Sequence, residues 1–65
     1  MLNFIELHYD STGNALIINI DKIISYERVQ GRSYTDLRLE RESMTVRETP
    51  VEISQLIIAA QGRTS

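Results

Sequence analysis

Apolar and polar residues alternate along most of this chain, and the alternation changes to a helical period near its end. In Phe4-Ile5-Glu6-Leu7-His8-Tyr9-Asp10, the residues Ile5, Leu7 and Tyr9 fall on one face and Glu6, His8 and Asp10 on the other. Period two over such a stretch predicts a half-buried strand. Asp10-Ser11-Thr12-Gly13-Asn14 is made of turn formers, and Gly13 or Asn14 can take positive φ cheaply. Ala15-Leu16-Ile17-Ile18-Asn19-Ile20 is rich in β-branched residues and predicts a second strand, paired with the first as an antiparallel hairpin.

Asp21-Lys22 interrupts the apolar run, and Ile23-Ile24-Ser25-Tyr26-Glu27-Arg28-Val29 resumes it as a third strand. After the turn Gln30-Gly31-Arg32-Ser33, the stretch Tyr34–Glu40 alternates again, with Leu37 and Leu39 inward. Arg41-Glu42-Ser43 turns the chain, and Met44–Glu48 is the fifth strand, with Met44 and Val46 inward. Every turn has the length of a hairpin loop, so the strands are expected to form a meander.

Thr49-Pro50-Val51-Glu52 changes the period. It reads as a capping box, with Thr49 at the N-cap, Pro50 at the first helical position and Glu52 at the third. Ile53, Leu56, Ile57 and Ala60 follow at helical spacing as a one-sided stripe. Gly62 is placed to cap the helix C-terminus, and Arg63-Thr64-Ser65 is expected to fray. The expected fold class is therefore α+β: a small antiparallel meander of four or five strands with one C-terminal helix, in a single domain over 1–65.

Length sharpens the question of stability. A chain of 65 residues buries only about 60% of the surface its unfolded form exposes. Chains of this size usually add a disulfide, a metal or a partner subunit. This one has no cysteine and a single histidine, His8, so a disulfide and a one-chain His or Cys metal cluster are excluded. Oligomerisation is the staple that remains. No cofactor is expected: Gly13, Gly31 and Gly62 stand apart, so no glycine-rich phosphate loop exists. His8 lies on the polar face of the first strand with no nucleophile nearby and is expected to be an exposed strand residue, so no enzyme is predicted. No apolar run reaches the roughly 20 residues that span a bilayer, and the N-terminus lacks the pattern of a signal peptide. A cytoplasmic domain without membrane insertion is expected.

The informative excess is apolar. Ile17 and Ile18 point to opposite faces of one strand, as do Ile23 and Ile24, and Ile58 lies off the helical stripe. A sheet covered on one side by one short helix should carry polar residues on its open face. Ile17, Ile24, Val29 and Ile58 are therefore predicted as surface that another chain covers, most simply a second copy, with an unidentified protein partner as the other occupant. The competing expectation is that the fold buries both faces by itself. A second candidate surface combines Arg28, Arg32, Tyr34 and Arg38 as a nucleic-acid-contacting face. The formal net charge of −2 and the interleaved Glu27, Asp36, Glu40 and Glu42 argue against it. Cross-strand ion pairs, Arg38 with Glu48 or Glu40 with Arg47, are the simpler use of those charges.

Two stretches, Asn19-Ile20-Asp21-Lys22-Ile23-Ile24-Ser25-Tyr26-Glu27 and Val46-Arg47-Glu48-Thr49-Pro50-Val51-Glu52-Ile53, resemble the small flagellar and swarming-motility protein family of FlbD/SwrD type and the short phage and prophage proteins similar to it. The resemblance covers nearly the whole chain and implies neither enzymatic activity nor a mapped active site. Glu40-Arg41-Glu42-Ser43 stands where that family has a glycine in its last hairpin, and its lysine-rich tail is absent. Ile20–Glu27, Tyr34 and Val46-Arg47 also resemble the C-terminal half of a LytTR-type DNA-binding domain, which is longer and more basic. That resemblance implies a nucleic-acid-binding module as the alternative function.

Overall fold

The computed structural model describes residues 3–62. The strands are β1 (Phe4–His8), β2 (Ala15–Asn19), β3 (Ile23–Arg28), β4 (Thr35–Leu39) and β5 (Ser43–Val46), followed by helix α1 (Pro50–Ala60). The fold is α+β, with antiparallel strands and a C-terminal helix, as the alternation and the capping box predict. The expectation for the tail 63–65 lies outside the described residues.

β1 and β2 pair in the register the alternation demands. Ile5 stands opposite Ile18 and Leu7 opposite Leu16, so one face is wholly aliphatic. The other carries Phe4, Glu6 and His8 against Asn19, Ile17 and Ala15. β1 stops at His8 because the chain enters a tight turn, where Tyr9 N–H donates to the Asn14 carbonyl (2.9 Å) and Gly13 N–H to the Tyr9 carbonyl (2.9 Å). Gly13 holds φ +78° there, a conformation glycine adopts without steric cost.

The strands divide into two sheets, β1-β2 and β3-β4-β5, instead of one continuous meander. The division lies at Asn19. Its side-chain carbonyl accepts from Asp21 N–H (2.9 Å) and starts a single 3-10 turn over Ile20–Lys22. Such Asx capping bends the backbone away from the ladder a β2–β3 hairpin would need. Asn3 fastens the bend, its side-chain amide bonding the Asp21 carboxylate and its carbonyl accepting from Ile20 N–H (2.8 Å).

The two sheets join at a different place. Tyr9 bridges Val46 antiparallel, Arg47 N–H donates to the His8 carbonyl (2.9 Å), and Asp10 N–H donates to the Thr45 carbonyl (3.1 Å). The end of β1 is thus sewn to the end of β5, and the strand sequence across the molecule is β2-β1-β5-β4-β3. The core lies inside this curl: Ile5, Leu7, Ile18, Leu37, Val46 and Ile53 are all buried. α1 closes it through Ile53, with Ile57 and Ala60 packed alongside. Leu56, expected in the same stripe, sits at its edge and is exposed. A hydrogen bond of 2.7 Å between the Tyr26 and Ser54 hydroxyls ties the helix to β3. Among the described residues, no helix is long and apolar enough to cross a membrane.

Candidate functional site

The β1–β5 seam assembles the best-formed polar cluster of the described residues. β1 alternation turns His8 and Glu6 to the outer face. The seam bond from Arg47 to His8 then sets the next residue, Glu48, against His8. One Glu48 carboxylate oxygen accepts from the His8 backbone N–H (3.0 Å). The other lies 2.7 Å from His8 Nδ1. On the far side of the ring, Nε2 is 3.7 Å from the Glu6 carboxylate. The Glu48 side chain is 14% exposed and that of His8 36%, so the contact is sheltered but open to solvent. Partial burial pushes the Glu48 carboxyl up. The hydrogen bonds from the His8 ring, from the His8 N–H and from its own backbone N–H outweigh this, and the net result lies below the ordinary value of 4.5.

His8 therefore is not the free strand residue that its position on the polar face predicts. Nothing local announces the contact, because Glu48 is 40 positions away and is brought in by the seam. The cluster opens on a groove of about 410 Å³ lined by Glu6, His8, Glu48, Glu52, Gln55 and Leu56. Its floor holds an oriented imidazole. Its lining offers no serine, threonine, cysteine or lysine as a nucleophile. Among the described residues no group of three or more His, Cys, Asp or Glu is disposed to hold a metal ion. What the groove presents to a partner is three carboxylates around the His8 ring, no lysine or arginine, and an apolar wall at Leu56.

The apolar residues singled out from the sequence take different positions. Ile17 is 63%, Ile24 61% and Ile58 52% exposed. Val29 is half-buried, because the β3–β4 turn folds back on itself: Val29 N–H donates to the Tyr34 carbonyl (3.1 Å) and Arg32 N–H to the Val29 carbonyl (3.0 Å). Ile24 sits where the β3–β4 register slips between Ile23 and Ser25, an irregularity that releases it from the ladder. Two exposed residues escaped the sequence reading, Phe4 at 55% and Val51 at 66%. Phe4 is a diagonal neighbour of Ile17 on the outer face of the hairpin, since Phe4 opposes Asn19 and Glu6 opposes Ile17. Alternation through Phe4, Glu6 and His8 was the available signal.

The arginine and tyrosine set is split. Arg28 stands opposite Thr35 and Arg38 opposite Ser25, and Thr35 and Arg38 project to opposite sides of β4. Arg32 and Tyr34 lie in the β3–β4 turn, where Arg28 Nε donates to the Arg32 carbonyl (3.1 Å). The predicted ion pairs Arg38–Glu48 and Glu40–Arg47 do not form. Glu48 is engaged by His8, and Glu40 lies 3.5 Å from Lys22. Among the described residues no arginine makes an ion pair. A second hollow, of about 250 Å³, is lined by Lys22, Leu39, Glu40, Arg41 and Glu42; its mixed charges give it no single preference.

Comparison with protein-family models, with curated proteins and with solved structures found no match.

Proposed function

We propose that this chain is a non-catalytic interaction module of the cytoplasm that associates with copies of itself. One observation carries the reading: Ile17, Ile24 and Ile58 each leave more than half of their surface exposed in the single chain. A domain this short has little apolar area to spare, and large aliphatic side chains left exposed on a small protein mark interfaces. Sedimentation velocity or light scattering at micromolar concentration is expected to return a mass above that of one chain; a strict monomer overturns the reading.

Nucleic-acid binding is the second reading, favoured by arginines that lack a carboxylate partner among the described residues. It requires affinity for DNA or RNA that falls with salt. Division of Arg28 and Arg38 between two faces leaves it the weaker of the two. Kinship with the small flagellar and swarming-motility family, or with the similar phage proteins, is proposed on the residues that carry the resemblance. A solved member of that family with a different strand sequence would refute it.

A further inference from the structure

Two surfaces of the molecule are complementary and make no ion pair with each other among the described residues. The outer face of the β1–β2 hairpin joins Phe4 and Ile17 to the groove of Glu6, His8, Glu48 and Leu56. It is an unpartnered sheet face, apolar at one end and negative at the other, and no lysine or arginine lines its groove. The end of the β3–β4 hairpin is its counterpart. Arg28 and Arg32 both lie there, with Arg28 Nε donating to the Arg32 backbone carbonyl. Neither makes an ion pair among the described residues. Half-buried Val29 and Tyr34 flank them. β5 and β4 stand between β1 and β3 in the strand sequence.

We infer that the β3–β4 hairpin end of one copy docks on the outer face of the β1–β2 hairpin of another, its arginines entering the acidic groove and Val29 and Tyr34 covering Phe4 and Ile17. The inference rests on self-association and names the surfaces that carry it. The arginines lack a carboxylate partner among the described residues and the groove carries three carboxylates, so docking sets opposite charges against each other. One contact pairs these charges and covers exposed Phe4 and Ile17. A reciprocal dimer and a head-to-tail chain both use it, since each copy carries one of each surface.

Charge exchange tests it on the full chain. Glu6 and Arg32 are exposed, and neither belongs to the core nor to the helix cap. Glu6→Arg replaces one of the three groove carboxylates by a cation and weakens the pull on the hairpin end, and Arg32→Glu cancels the remaining charge of Arg28. Each variant alone is expected to weaken self-association by at least about tenfold, because each sets one like-charged pair into the contact and removes much of its charge complementarity. An equimolar mixture of the two is expected to recover mixed assemblies, as the cation introduced in one groove meets the carboxylate introduced in the other hairpin end. Unchanged thermal midpoints by circular dichroism in dilute solution establish that both variants remain folded. Wild-type association that survives either exchange, or variants whose mixture stays dissociated, overturns this contact and leaves self-association standing. A wild-type chain that never associates removes both.

Discussion

Glu48 is the residue whose charge the fold uses most fully. It stands at the point where β1, β5 and α1 come together, and both of its oxygens are engaged by His8. Its carboxyl is held below its ordinary value, so the folded state binds a proton there less readily than the unfolded chain does. The resulting stability is fully present above the unfolded value and is lost as the pH falls through the folded one. Glu48→Gln is therefore expected to be less stable than wild type at pH 7. The difference should begin to narrow near pH 4.5 and vanish at lower pH. Urea unfolding across that range measures it, and a gap that stays constant down to pH 2 would sink the assignment. The charges of Glu6 and Glu52, which share the groove, remain in both proteins and cancel in the comparison. At this scale the sequence was a poor guide. Strand parity correctly sends His8 outward, but parity describes a face and not what another segment brings to it. Ile17 was readable because adjacent isoleucines in one strand cannot both face inward. Phe4 needed only the same parity argument extended to the first residue of β1.

Elements whose forces are local were legible, and those that depend on distant pairing were not. α1 begins where the capping box places it, with Thr49 Oγ1 accepting from Glu52 N–H (3.1 Å) and Glu52 accepting from Thr49 N–H (2.8 Å). Both bonds join residues three apart, so residue order alone specifies them. At the other end, Gly62 takes φ +67° and its N–H returns to the Ala59 carbonyl (3.1 Å). Thr49→Ala removes one cap bond and is expected to cost about 1 kcal/mol, a sizeable share of the roughly 3–5 kcal/mol that a core of this size supplies. Thr49→Ser keeps the hydroxyl and is expected to stay near wild type. Urea midpoints at neutral pH separate the two, and an alanine variant as stable as the serine one would mean that the helix start is held by packing instead. The partition into two sheets was hidden for the opposite reason. Asp21-Lys22 was visible as an interruption, yet the Asx bond that makes it a 3-10 turn also removes the β2–β3 pairing. The replacement pairing, Tyr9 with Val46, joins segments that no turn connects. Hairpin logic extends only to neighbours in the chain, so it cannot see a seam of this kind.

For the molecule as a whole, the decisive quantity is how few side chains the curl encloses. The fully sheltered apolar set among the described residues is Ile5, Leu7, Ile18, Leu37, Val46 and Ile53, with one residue of α1 among them. Phe4, Ile17, Ile24, Val51 and Ile58 remain outside. A chain with that balance gains stability from association, and mass action then makes its unfolding depend on concentration. For two-state unfolding of a dimer of this chain length, each tenfold increase in protein is expected to raise the thermal midpoint by about 5 °C, from average unfolding entropies per residue and the free energy of a tenfold dilution. Ile17→Ser supplies the control. Its side chain is already exposed in one chain, so in dilute solution it is expected to melt close to wild type. At high concentration it should lag behind, because the serine has no apolar surface to offer a second copy. Calorimetric melts of both proteins over a hundredfold range of concentration measure the slope. A wild-type midpoint independent of concentration, or a serine variant that keeps the full slope, would mean that the apolar excess on this surface contributes nothing to stability and that the small core suffices alone.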